Sequence, residues 1–156
     1  SYANNFKWSV SGGEDRYRRG VYTFFKRTSP HPNLITFDCP DSNVTCVKRN
    51  ISNTPIAALA TLNNSVFTDA AKAMAKRLIK ERNSDTERIA MGFQLCTARK
   101  PSTKEAAAFL ALLKKAKLYY GENETEAKAF NGDAEASAWA TLTRIFLNLD
   151  EFITRE

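Results

Sequence analysis

The sequence predicts an all-α fold, a helical bundle of about five to six helices with an irregular N-terminal segment wrapped over it. Three observations support this prediction. After Thr54, apolar residues recur at steps of three and four, helix-capping signals separate these runs, and the residues before Thr54 sustain no such period. Because 156 residues is a usual length for one domain, we expect a single domain over 1–156. It would comprise an irregular aromatic and basic segment, 1–53, and a helical core, 54–156.

Two helices are predicted at the start of the helical core. Thr54 suits the N-cap of the first, and Pro55 suits its first position, where the missing N–H costs nothing. The apolar residues of this helix are Ile56, Leu59 and Leu62. Asn63-Asn64-Ser65 interrupts the pattern before a longer amphipathic helix. The residues of that helix that we expect to face inward are Val66, Phe67, Ala70, Ala71, Met74 and Leu78.

The remaining helices follow from further capping signals. A third helix carries Ile89, Phe93 and Cys96 and is expected to end at Lys100-Pro101. Ser102 and Glu105 have the spacing of a capping box, which starts a fourth helix that we expect to end at Gly121. A short helix is then predicted up to Asn131-Gly132. Asp133 caps a last helix, which buries Trp139, Leu142, Ile145, Phe146 and Leu149.

The irregular segment differs in its local signals. Pro30 and Pro32 flank His31 and favour extended backbone before each proline. Residues 20–28 fit either a short helix or a strand, and residues 31–53 are expected to be ordered but irregular. We therefore expect any specific binding to involve this part of the chain.

Composition and charge exclude several classes of protein. Apolar residues make up 43% and charged residues 26% of the chain, which is typical of a folded globular protein. No apolar run is long enough to span a membrane. The net charge is +6, and residues 1–50 hold eight basic and four acidic side chains. Nucleic-acid-binding surfaces usually concentrate more positive charge than this, so the charge argues against nucleic acid as a partner.

Three cysteines do not form a disulfide framework, and no CxxC or CxxCH motif is present for zinc or haem. Cys39 and Cys46 flank the turn-rich stretch Pro40-Asp41-Ser42-Asn43, so a disulfide between them is possible in an oxidising compartment. Cys96 lies in an apolar helical pattern and is expected to be a small buried residue.

The sequence contains no catalytic motif, so we assign no catalytic residue and no metal ligand. His31 is the single histidine, and a metal site or a proton-transfer site would need a second group at a suitable spacing. Asp38 and Asp41 could form a carboxylate pair for acid and base chemistry. The interpretation that we favour is that they cap turns within an irregular segment.

Two stretches resemble a known family. They are "YRRGVYTFFKRTSPHPNLITFDCPDSNVTCVKRNISNTPIAALATLNNSVFTDAAKAMAKRL" and "AWATLTRIFLNLDEFITRE". The family is the C-terminal domain of unknown function of large exported proteins of planctomycetes and related bacteria. Those proteins often carry a planctomycete-type cytochrome c domain upstream. The resemblance covers residues 16–156. Family members usually have a small residue at the position of Cys39, so a bridge to Cys46 would be specific to this chain.

The resemblance implies an exported protein, in the periplasm or at the cell surface, of which this chain is a piece. Haem would belong to an upstream domain, and no cofactor is expected in this chain. The resemblance brings no established activity. The candidate binding residues among the matching positions are Arg19, Tyr22, Arg27, His31, Asp38 and Asn53.

Two functional hypotheses follow. The first is a non-catalytic interaction or structural module that docks against neighbouring domains of the parent protein, or against a protein partner, through residues 16–63. Arg, Tyr and Phe are common in such interfaces, and this hypothesis predicts exposed apolar side chains there. The alternative is an accessory part of an enzyme that acts on a polysaccharide or a sulfated polymer. That alternative predicts one cleft lined by Arg27, His31 and Asp38.

Overall fold

A computed structural model of the chain describes residues 7–41 and 43–154. These residues contain two 3-10 helices, Gly13–Tyr17 and Gly20–Tyr22, and eight α-helices, with no strand among them. The α-helices are α1 (Pro32–Thr36), α2 (Pro55–Asn63), α3 (Ser65–Glu81), α4 (Asp85–Thr97), α5 (Thr103–Glu122), α6 (Glu124–Asn131), α7 (Ala134–Phe146) and α8 (Asp150–Ile153). The predicted all-α helical bundle is confirmed.

The chain divides into two compact units, Ser1–Ala60 and Thr61–Glu156. The boundary falls inside α2, several residues after the one expected from the sequence. The assignment of the whole chain to a single domain stays a prediction.

The first unit contains short helices joined by turns. The imidazole of His31 caps α1, because its Nδ1 accepts a hydrogen bond from the Asn33 N–H at 3.3 Å. Asp38 follows the helix with φ at 55°, in the left-handed region. The Asp38 N–H donates to Ile35 O, and the Cys39 N–H donates to Leu34 O. These two bonds form a Schellman motif. Helix α1 is therefore capped at both ends, although it lies within the segment that was expected to be irregular.

The second unit has a continuous hydrophobic core with α7 at its centre. Helix α7 packs against α3, α4, α5 and α6. Its Trp139, Leu142 and Phe146 are buried with side chains from the neighbouring helices. Three buried rings meet in this core: the Phe109 and Phe146 centroids lie 5.0 Å apart, and those of Phe93 and Phe109 lie 5.7 Å apart. Edge-to-face and tilted packing of this kind stabilises a core beyond the area it buries.

The predicted caps are present in the structure. Thr54 caps α2, Asp133 caps α7, and Ser102 with Glu105 forms a capping box at the start of α5. Asn64, which was not predicted as a cap, caps α3. A second capping box, between Ser84 and Glu87, starts α4. These side chains satisfy backbone N–H groups that the first turn of a helix leaves without intrahelical partners.

Several helix ends differ from the sequence prediction. Helix α4 ends at Thr97 because Ala98 adopts a left-handed conformation, with φ at 60°, before Pro101 is reached. Helix α5 continues through Gly121, and the short α8 follows the helix that was predicted to be last. In helix α2 the apolar residues Ile56 and Leu59 are exposed, and the buried residues are Ala57 and Thr61.

Candidate functional site

Arg19 and Tyr22 form a contact at the surface of the first unit. The 3-10 turn at Gly20–Tyr22 places the two side chains on one side, three residues apart. The Arg19 guanidinium carbon lies 5.4 Å from the centroid of the Tyr22 ring, and Arg19 Nη2 donates a hydrogen bond of 3.1 Å to the Tyr22 hydroxyl. Arg16 lies in the same way over the ring of Tyr17, at 5.2 Å. Two guanidinium–tyrosine pairs therefore occur within seven residues.

His31 is positioned by Trp8, a residue that the sequence analysis did not select. The two rings lie edge to face with centroids 4.9 Å apart, and the Trp8 Nε1–H donates to the carbonyl of Ser29 at 3.0 Å. The His31 imidazole therefore has two structural contacts. Its ring packs against Trp8, and its Nδ1 caps α1.

Asp38 connects α1 to the chain that precedes α2. Its Oδ2 accepts hydrogen bonds from the Ser52 N–H at 2.9 Å and from the Ser52 hydroxyl at 2.7 Å. Asp41 accepts from the backbone N–H and the side-chain amide of Asn43. Asp41 therefore serves a local turn, as the capping interpretation predicts, whereas Asp38 closes a loop to Ser52, 14 residues along the chain.

The structure does not join Arg27, His31 and Asp38 in one cleft. Arg27 is exposed, in a turn closed by the bond from the Ser29 N–H to Lys26 O. Within the described part of the chain, no hydrogen bond or ion pair links Arg27 to either of the other two. Asn53 is exposed and precedes Thr54, whose hydroxyl accepts from the Ala57 N–H and caps α2.

One surface depression, of about 380 Å³, lies elsewhere, in the second unit. It is lined by Arg82, Glu87, Ala90, Met91, Gln94 and Leu95. None of the candidate residues of the first unit lines it. The alternative of an enzyme cleft therefore gains no support from this geometry.

The cysteines have different environments. Cys39 and Cys46 are exposed with free thiols, so the predicted disulfide is absent from this structure and stays a prediction for oxidising conditions. Cys96 is buried in the core of the second unit, and burial raises the pKa of its thiol to about 11. Among residues 7–41 and 43–154, no group of three His, Cys, Asp or Glu side chains is placed to hold a metal ion.

Apolar side chains of the first unit are largely exposed. Phe24 is 68% exposed and Tyr22 is 62% exposed. The other large apolar side chains of this unit that are exposed are Val10, Tyr17, Val21, Ile35, Phe37, Val44, Val47, Ile51, Ile56 and Leu59. The second unit exposes only four among its described residues: Leu95, Leu112, Leu118 and Tyr119. Exposed apolar surface is thus concentrated in the smaller unit.

Comparison with known protein families identifies one match. The model of the family PSD1, described as a protein of unknown function (DUF1553), matches residues 1–113. The chain belongs to this family. No curated protein and no solved structure matches the chain.

The DUF1553 match covers the whole first unit and continues into α5. It confirms the coarser part of the resemblance, membership of a family of domains of unknown function. The closing stretch from Ala138 on, which also carried the resemblance, lies beyond the matched residues. None of the helices in the described ranges is long and apolar enough to cross a membrane.

Proposed function

We propose that this DUF1553 chain is a non-catalytic interaction or structural module of a larger exported protein associated with a cytochrome c. Its first unit docks against a neighbouring domain of the parent protein or against a protein partner. The setting is the periplasm or the cell surface, and haem belongs to a different domain. The polar groups of His31 and Asp38 serve helix capping and loop closure, which suits a binding scaffold more than a reaction centre.

One observation supports docking above the others: the exposure of Val21, Tyr22 and Phe24 within four consecutive residues. Isolated exposed apolar residues are ordinary, but a concentration of them marks an interaction surface. Tyr and Arg are also among the residue types that contribute most to binding energy in protein interfaces. The first unit combines a concentration of exposed apolar side chains with an exposed Arg–Tyr pair.

The test compares hydrogen exchange of the isolated chain with that of the full-length parent protein. If the first unit docks, the amides of residues 16–30 exchange at least about tenfold more slowly in the parent. Phe24→Ser should reduce this protection by about fivefold or more, because truncating a buried aromatic anchor commonly costs more than about 1 kcal/mol of binding energy.

Leu118→Ser is the matched control for Phe24→Ser. Leu118 is 65% exposed, close to the value for Phe24, but it lies on α5 in the second unit. This variant should leave the protection of residues 16–30 unchanged. Equal exchange of those residues in the isolated chain and in the parent protein would contradict the docking proposal.

A further inference from the structure

We infer that the surface on which the first unit docks is an acidic protein surface, and that Arg19 is the main anchor for its carboxylates. This inference rests on the docking proposal and specifies the chemistry of the partner. It follows from the charge of the unit, from the arrangement of Arg19, and from the residues beside it.

The first unit carries an excess of positive charge that its own carboxylates do not neutralise. Its charged residues all lie between Lys7 and Arg49 and comprise eight basic and four acidic side chains. Asp15 pairs with Arg18 at 2.7 Å, while Asp38 and Asp41 accept hydrogen bonds from neutral loop groups. The remaining positive field attracts a partner of opposite charge and disfavours one of like charge.

Arg19 is arranged in advance to bind a carboxylate. Its guanidinium lies over the Tyr22 ring and donates one hydrogen bond to the Tyr22 hydroxyl. A guanidinium has five N–H donors, and within the described ranges no carboxylate pairs with Arg19. Because stacking restricts the side chain before binding, less conformational entropy is lost when two parallel N–H···O bonds to a carboxylate form.

The neighbouring residues favour a protein over a nucleic acid. Val21 and Phe24 flank the Arg19–Tyr22 pair and are exposed, and apolar side chains of this kind are buried by an apolar protein surface rather than by phosphates. Tyr17 and Tyr22 each have a guanidinium over one ring face, which leaves less ring surface for stacking bases.

The first experiment measures binding of the full chain to fluorescein-labelled probes by fluorescence anisotropy. The probes are a peptide of alternating Glu and Phe, the same peptide with Lys in place of Glu, and a single-stranded DNA of equal charge to the acidic peptide. The acidic peptide should bind the most tightly, and its affinity should fall as salt is added. Tighter binding of the DNA or of the Lys peptide would overturn the inference.

Arg19→Glu should weaken binding of the acidic peptide by more than about tenfold. Arg77→Glu is the control, because it makes the same change of net charge at an exposed arginine of α3 in the second unit. Arg19→Lys keeps the charge but not the paired donors, so its affinity should lie between those of the wild type and Arg19→Glu. Equal effects of Arg19→Glu and Arg77→Glu would show that only net charge matters and would overturn the role of Arg19.

A second readout separates this inference from the docking proposal. In the full-length parent, Arg19→Glu should remove the hydrogen-exchange protection of residues 16–30, and Arg77→Glu should not. If Phe24→Ser reduces this protection while Arg19→Glu leaves it intact, the acidic partner is excluded and docking stands. If the parent shows no protection of these residues, docking itself fails.

Discussion

Gly92 is a residue where one added methyl group should disrupt the core of the second unit. A Cβ at this position would lie 2.7 Å from Cε2 of Phe146 and 2.9 Å from Cδ1 of Leu78, and both of these side chains are fully buried. Gly92→Ala should therefore lower the free energy of unfolding by about 1–2 kcal/mol, because overpacking outweighs the gain of about 1 kcal/mol in helix propensity. Denaturant unfolding followed by circular dichroism measures this change.

The control for Gly92→Ala is Gly121→Ala, within the last turn of α5. Nothing lies within 4 Å of the Cβ that alanine would place there, so only the backbone contribution changes. This variant should be stabilised, by about 0.5 kcal/mol. Destabilisation by both substitutions would mean that packing against Phe146 is not the cause.

The candidate binding residues were predictable only where their partners are local. Arg19 and Tyr22 stand three residues apart, so one turn of 3-10 helix brings them together. His31 meets Trp8 across 23 positions, and Asp38 meets Ser52 across 14, and no pattern in the sequence encodes such pairings. The capping interpretation of Asp38 was available because Asp side chains commonly accept hydrogen bonds from backbone amides in irregular segments.

Arg99 connects three helices of the second unit. Its guanidinium extends from the end of α4 to Glu105 in α5 at 2.7 Å and to Glu151 in α8 at 2.6 Å, and it lies 4.7 Å from the centroid of the Phe93 ring. The hydrogen bonds from Arg99 lower the pKa of Glu105 from 4.5 to about 2, and those from Ser102 add to this effect. The carboxylate of Glu105 thus belongs both to the Arg99 contact and to the capping box of α5.

The pKa of Glu105 predicts how this contact depends on pH. A carboxyl group with a depressed pKa in the folded state stabilises the fold above its unfolded-state pKa, and this contribution is lost as the pH falls through the folded-state value. The melting temperature should therefore decrease between about pH 4.5 and pH 2, and it should decrease less steeply in Arg99→Met. Arg77→Met, which alters only the exposed pair with Glu81, should keep the wild-type slope. The same slope in all three proteins would contradict the role of Arg99.

At the level of whole elements, the sequence predicted the helices but not their arrangement. The period of the apolar residues and the caps at Thr54, Ser102 and Asp133 are local signals, so helix positions followed from them. That α7 is the central helix depends on which faces meet in three dimensions. One feature of the sequence did indicate that α7 is buried on most sides. Glu135 and Arg144 are the only charged residues of α7, and four of its other residues are alanines. The apolar residues of α2 did not identify its buried face, because this helix exposes Ile56 and Leu59 and buries the small residues Ala57 and Thr61.

At the scale of the whole molecule, the two units bury their side chains to different extents. The second unit has a continuous core, whereas among the described residues of the first unit Ala57 alone is buried. The three cysteines differ in the same way, since Cys39 and Cys46 are exposed in the first unit and Cys96 is buried in the core of the second. The reactivity of their thiols therefore tests this difference in burial without a binding partner.

In the reduced native protein at neutral pH, two thiols should react rapidly with a disulfide reagent such as Ellman's reagent, and the third should react only on unfolding. Burial raises the pKa of Cys96 to about 11, which lowers its thiolate fraction by about 100-fold relative to an ordinary cysteine and also blocks access. Reaction of Cys96 should therefore begin at the denaturant concentration at which the helices of the second unit unfold.

Two variants assign the thiols. Cys96→Ala should remove the slow phase, and Cys39→Ser should remove one equivalent of fast-reacting thiol. If the protein purified under oxidising conditions shows no fast thiol until a reductant is added, Cys39 and Cys46 form the predicted bridge. Rapid reaction of all three thiols in the native state would show that Cys96 is accessible to the reagent, and so would contradict its burial in the core of the second unit.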